Sequence, residues 1–96
     1  MTAYVIGEID VNDPDGYRPY FEKAPATVID HGGSYLVKAG RTEALEGDPP
    51  KSRVVVLAFD DMQAALDWYH SDEYQAVAPA RQASATTRVF IVEGAD

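Results

Sequence analysis

The chain contains no cysteine. Disulfides, thiolate nucleophiles and cysteine-held metals are therefore excluded. Histidine is nearly absent too: His31 and His70 are the only two, and neither belongs to a recognisable metal-ligand motif. Asp60, Asp61, Asp72 and Glu73 could approach a cation, but they stand where helix caps belong. No metal site and no cofactor are expected. Basic residues are few, eight against sixteen acids, for a formal charge of −8. A chain this acidic repels phosphate backbones and anionic lipid, so neither nucleic acid nor a membrane surface is an expected partner. Nor does any apolar run approach bilayer length. Met1-Thr2-Ala3-Tyr4 enters a strand with no basic stretch before it, unlike a signal peptide. The expected location is cytoplasmic. Ser34, Ser52, Ser71 and Ser84 lack the G-x-S-x-G setting of an activated serine. Gly32-Gly33 ends a helix instead of opening one, so it makes no helix N-terminal anion site.

What is present is enough for one domain. The 96 residues suit a single core of ordinary size. The most apolar stretch runs from Arg53 to Asp60 (RVVVLAFD). As a strand it places Val55, Leu57 and Phe59 on one face and Val54, Val56 and Ala58 on the other. Both faces are apolar, which is the behaviour of a central strand. Ala3–Asp10 reads as a first strand, in which Gly7 marks a bulge or a close approach. Asn12 or Asp13 can cap a helix with Pro14 in its first turn. Tyr17, Tyr20, Phe21, Ala24, Val28 and His31 then recur at helical spacing. Pro25 predicts an interruption of that helix, because it removes a backbone donor and crowds the preceding turn. Ser34–Ala39 reads as the second strand, and residues 41–46 fit either more strand or loop. Asp60 or Asp61 caps a second helix. Ser71-Asp72 starts another helical run to about Ala83, bent or shortened at Pro79, with Tyr74, Val77, Ala78 and Arg81 on one side. Thr87–Glu93 is the last strand.

The order strand, helix, strand, strand, helix, strand favours a split βαβ arrangement with the first and third strands in the centre. Helices on one side leave the other sheet face bare. Val89 with Ile91, or Phe90 with Val92, adds apolar surface whichever way the last strand points. A face this apolar implies a partner, and a two-fold homodimer is the commonest solution.

The segments AYVIGEIDVNDPDGY, PATVIDHGGSYLVKAGRTEALEG and RVVVLAFDDMQAALDWYHSDEYQAVAPARQ resemble the domain-of-unknown-function family 1330. The most specific pieces are His31-Gly32-Gly33, the Arg53 strand and Trp68–Tyr74. The resemblance covers nearly the whole chain. It implies an α+β, ferredoxin-like βαββαβ subunit with an antiparallel sheet, paired as a dimeric α/β barrel. The wider superfamily includes cofactor-free monooxygenases, haem-degrading enzymes, lactone isomerases, chlorite dismutase-like proteins and sensory domains, so fold alone chooses no function.

Candidate site residues come from where the elements end. His31 closes the first helix, Arg53 opens the central strand, Trp68 and Tyr69 end the second helix, and Tyr74 and Arg81 lie on the next run. Folded as above they can converge on a helix-sheet cleft with aromatic walls and a few charges, as a small-molecule pocket needs. Arg53 is the strongest candidate for contact with an anion, since its fork can hold two oxygens. His31 is a candidate proton carrier, and Glu8 a candidate base if it faces the interior. If Glu8 instead faces an edge, it belongs to an ion pair. Each residue also has an inert reading: the aromatics as core, His31 as a favourable helix end, and Arg53 and Arg81 as partners of Glu8, Asp10 or Asp72. The function expected is a homodimeric binder of a small anionic or aromatic molecule. The alternatives are a cofactor-independent monooxygenase or isomerase, and a non-catalytic binding or stress-related module.

Overall fold

A computed structural model describes residues 1–96. Its elements follow the alternation and spacing of the apolar residues. They are β1 (Ala3–Val11), α1 (Pro14–Asp30), β2 (Ser34–Lys38), β3 (Arg53–Phe59), α2 (Met62–His70), α3 (Asp72–Ser84) and β4 (Ala85–Glu93). The four strands form one sheet in the order β2-β3-β1-β4, and every pairing is antiparallel. This is the ferredoxin-like βαββαβ arrangement, with its second helical segment broken into two. The break falls at Ser71, whose hydroxyl accepts from the Tyr74 amide at 3.2 Å and so caps α3. Asp61 caps α2 in the same way, accepting from the Ala64 amide at 2.8 Å.

Alternation divides β1 into two sets. Ala3, Val5, Gly7 and Ile9 are buried beneath the helices, while Tyr4, Ile6, Glu8 and Asp10 point to the other face. The register places Leu57 against Val5 and Phe59 against Ala3, so β3 sorts the same way. The core gathers around these residues, with Trp68, Tyr74, Ala65 and Val28 from the helices. The Trp68 ring centroid lies 5.5 Å from Phe59 and 4.2 Å from Tyr74.

Three local expectations are corrected. The first helix is not interrupted at Pro25: α1 runs unbroken from Pro14 to Asp30 with Pro19 and Pro25 inside it. Proline costs the helix one donor and some strain, and the extensive packing of α1 along α3 holds it through the defect. In the same way α3 continues past Pro79 to Ser84. Gly7 marks no bulge, since β1 pairs with both neighbours in unbroken register. The bulge lies instead in β2, between Tyr35 and Val37. Residues 41–46 are loop. Ala39 has left-handed backbone angles (φ 59°) at the end of β2, and Gly47 (φ 72°) and Pro49-Pro50 follow before β3 begins.

The turn from α1 into β2 is sterically exacting. A Cβ on Gly33 would stand 2.6 Å from the Phe59 ring and 2.9 Å from Val28 Cγ1. Both are packed core groups that cannot swing away. Gly33→Ala should therefore destabilise the fold by about 1–3 kcal/mol, the usual cost of overpacking. Urea denaturation checks this, and an unchanged midpoint would show that the core yields at this turn.

Candidate functional site

Between the helix-facing side of the sheet and α1 lies a cavity of about 60 Å³, several times what one water needs (roughly 10–15 Å³). Its floor is Val5, Gly7 and Ile9 of β1 with Val55 and Leu57 of β3. The floor is low because Gly7 has no side chain: a Cβ there would meet nothing within 4 Å. Tyr17, Tyr20, Phe21, Ala24 and Pro25 of α1 form one wall, Trp68, Tyr74 and Arg81 the inner end, and Tyr35, Lys38 and Arg53 the β2–β3 side.

The polar groups of the inner end form two hydrogen-bonded sets. The Tyr20 and Tyr74 hydroxyls are 2.9 Å apart. Arg81 Nη2 donates to the Tyr74 oxygen at 3.5 Å, and Nη1 donates to the Thr87 hydroxyl. The guanidinium carbon of Arg81 lies 5.4 Å from the Tyr20 ring centroid. Trp68 Nε1 donates to the Thr27 hydroxyl at 3.0 Å, which in turn donates to the Ala24 carbonyl at 2.7 Å. Burial pushes the Tyr20 phenol well above its usual range, and the adjacent Tyr74 adds to the effect. Burial also pushes the Tyr35 phenol up, to about 12. For Arg81, burial works against its charge, but the Tyr74 and Tyr20 oxygens outweigh it and the guanidinium stays protonated.

The charge balance is unusual. Lys38, Arg53 and Arg81 line the cavity, and no Asp, Glu or His does. None of the three forms a salt bridge. Arg81 is only 4% exposed. The Nε atoms of Arg53 and Arg81 are both buried without a hydrogen-bond partner. Arg53 lies instead over the rings of Tyr17 and Phe21, at 5.8 and 5.7 Å, and Lys38 over Tyr35 at 4.9 Å. Lys38 is exposed and Arg53 half-buried, so water solvates part of their charge; the cost of a buried guanidinium without a counter-charge falls on Arg81.

Of the residues singled out from the sequence, the structure brings Arg53, Trp68, Tyr74 and Arg81 together around this cavity. Tyr69 lies behind them, 5.5 Å from the Tyr74 ring, and does not line it. His31 is also outside: it ends α1, with Nδ1 donating to the Thr27 carbonyl at 2.9 Å and Nε2 3.7 Å from Glu73. Glu8 is on the opposite face of the sheet, paired with Arg88 and accepting from the Lys51 amide at 3.3 Å. It takes the ion-pair alternative. Arg88 first, then the Lys51 amide, holds its carboxyl below the usual range, the reverse of what a buried base requires. Asp10 is likewise occupied, by Ser52 and Lys51. Arg53 and Arg81 are thus without the carboxylate partners that their inert reading assigned them. Tyr17, Tyr20, Tyr35, Lys38 and Gly7 were not singled out as site residues. The two α1 tyrosines were visible only as part of an apolar stripe. Lys38 reaches the helix-facing side only because the β2 bulge shifts its register, pairing Tyr35 with Leu57 and Lys38 with Val55.

The sheet order, the helices on one face and the cavity beneath them define a ferredoxin-like subunit of the dimeric α/β barrel class. Residues 2–95 match the model of the domain of unknown function family DUF1330, and the chain belongs to that family. Among solved structures it is similar to a protein of unknown function, RPA0582 from Rhodopseudomonas palustris. The two share 13% identity and a TM-score of 0.78, over 99% of this chain and 83% of that one. It is also similar to SnoaB, a cofactor-independent oxygenase from Streptomyces nogalater (16% identity, TM-score 0.65, 99% and 94% covered). A third is a putative antibiotic biosynthesis monooxygenase from Nitrosomonas europaea (14%, 0.58, 97% and 90%). At these identities the likeness is one of fold. No curated protein matches the sequence.

The Glu8–Arg88 pair has a measurable signature. A carboxyl whose folded-state pKa is depressed stabilises the fold above its unfolded value and loses that contribution as pH falls through the folded value. The stability difference between the native chain and Glu8→Gln should be full at neutral pH and shrink progressively below about pH 4.5, the ordinary value for this group. Denaturation midpoints across that range check it, and a difference independent of pH would remove the ion pair as its source.

Proposed function

We propose that the protein binds a small anionic molecule with an apolar or aromatic body in the cavity under α1. The observation that carries this reading is the set of three cations, Lys38, Arg53 and Arg81, lining an otherwise aromatic cavity with no carboxylate among them. In a chain with twice as many acids as bases, counter-ions are not scarce; their absence at this one place leaves the compensating charge to be supplied by a ligand. Trp68 is the sole tryptophan and lines the cavity, so its fluorescence reports occupancy. Benzoate should perturb it. Uncharged benzamide, of the same shape, should bind more weakly by about 2 kcal/mol, the scale of hydrogen bonds to a charged group. Gly7→Val should leave the strand intact and abolish the response, because its side chain would occupy the empty floor. Equal responses to the two probes, or none to either, would sink the reading.

The enzyme reading, cofactor-independent oxygenation or isomerisation, draws support from the fold shared with SnoaB. It has less support in the residues. Proton abstraction needs a base within about 3 Å of the proton taken. His31 and Glu8, the two candidates, stand outside the cavity, and the Tyr20 phenol holds its proton more tightly than usual. Binding without turnover is the reading the lining favours.

The assembly we propose is a two-fold homodimer through the bare face of the sheet. Ile6 lies between Val56 and Phe90 there, and Tyr4 between Ala58 and Val92. Phe90 and Val92 are 42% and 44% exposed and Val37 is 39% exposed. Sheet-on-sheet contact would bury on the order of 800 Å² per subunit. Val56→Asp should give a folded monomer by sedimentation, whereas Val55→Asp, beneath the helices, should unfold the core. A native chain that sediments as a monomer at micromolar concentration would overturn the assembly.

A further inference from the structure

The two arginines do not share one end of the cavity. Ile9 pairs with Arg53 on one side and with Thr87 on the other, so these three residues form one row across the helix-facing side of the sheet. Arg81 is fastened to that row by its bond to Thr87. Two strand spacings, about 10 Å, separate the backbones of Arg53 and Thr87. The same separation is spanned on α1 by two tyrosines: Arg53 faces Tyr17, Tyr17 stacks edge-on with Tyr20 at 5.6 Å, and Tyr20 faces Arg81. Ile9 and the two phenol rings therefore bound an apolar slot with a guanidinium at each end. Both guanidinium groups have a buried Nε with no partner, and an Nε is half of the edge that grips a carboxylate in two-point fashion. Lys38 adds a second cation on the Arg53 side, from β2.

We infer that the ligand carries two anionic groups, one at each end of a short, flat, apolar spacer: a dicarboxylate of unsaturated or aromatic type, held between Arg81 at the β4 side and Arg53 with Lys38 at the β2 side. A single carboxylate would satisfy one arginine and leave the other's Nε unpartnered and its charge uncompensated. Like charge at both ends with no acid between them also selects against amino acids and other zwitterions, whose ammonium would face a guanidinium.

This inference rests on the anion-binding reading above, and its test separates the two. Each dianion is compared with its own monoamide, which keeps the shape and removes one charge. The pairs are benzene-1,4-dicarboxylate against 4-carbamoylbenzoate, and fumarate against its monoamide, which brackets the span. Titration followed by Trp68 fluorescence or calorimetry should show at least one dianion binding tenfold or more tighter than its monoamide. Arg53→Met should bring that dianion to the level of its monoamide and cost benzoate far less, because the Arg81 end still takes its one carboxylate. Arg81→Met should likewise cost the dianion more than benzoate, which keeps the Arg53 end; because Arg81 is buried, Arg81→Lys serves where the methionine variant does not fold, and it should weaken the dianion less. If neither dianion gains more than the twofold advantage of having two equivalent ends, the two-ended site is overturned while binding of benzoate upholds a one-ended anion site. If Arg53→Met costs benzoate as much as the dianion, both arginines act on one carboxylate and the inference likewise fails. Failure of every anion overturns both readings together.

Discussion

Alternation along the central strand pair is the constraint from which the rest follows. Val5, Leu57 and Phe59 must be covered on one side of the sheet, and Ile6, Val56 and Ala58 are apolar on the other. Two helical layers would be needed to cover both, and the chain has helices for only one. They close over the side where Trp68 and Tyr74 meet Phe59 and Leu57. The closure leaves a gap above Gly7, where the sheet offers no side chain and α1 presents Pro25 and Ala24. The cavity is thus the residue of the same packing that makes the core: a missing side chain below and a proline-containing helix above.

Into that gap the fold turns cations. A buried charge is ordinarily tolerated when paired; elsewhere this chain pairs cations that water already reaches. Arg88 takes Glu8, Lys51 takes Asp10, and Arg18 takes Asp15. The arginines of the cavity have phenols, a threonine and ring faces instead. Those groups hold a guanidinium in place but do not neutralise it. The distinction matters physically. An exposed charge is screened within about 8 Å at physiological salt, so the acidic exterior does little to cancel the field inside a partly closed, ring-lined space. A net negative protein can therefore carry a locally positive interior.

The split βαβ order and the central place of β1 and β3 were legible because they depend on apolar periodicity, which the sequence displays directly. The caps at Asp61 and Ser71 were legible for a similar reason: a short hydroxyl or carboxyl side chain before a helical stripe has one cheap use. Arg81 was placed correctly on the buried side of its helix by spacing alone. Lys38 was not, because a β-bulge changes which residues share a face and leaves no compositional trace in SYLVK. Glu8 could be read either way, since a mid-strand carboxylate shows its parity but not which face the helices choose. Pro25 misled because propensity is local, whereas the packing of α1 along α3 that overrides it is not.

The same geometry bears on the choice we propose between binding and turnover. The fold is shared with an oxygenase that needs no cofactor, and an arginine beside a substrate oxygen would stabilise an enolate or peroxide-like anion in such chemistry. Stabilising an anion is only half of forming one; the proton must go to an acceptor. In this cavity the acceptors within reach are phenols, and the buried Tyr20 and Tyr35 ionise only well above their ordinary range. The histidine and the carboxylate that the sequence offered are engaged elsewhere, with Thr27 and Glu73 in one case and with Arg88 and Lys51 in the other. A site with fixed positive charge and no available base is complementary to a ligand that arrives already ionised. That is the physical ground on which we propose the cavity as a receptor for carboxylates in preference to a catalytic site.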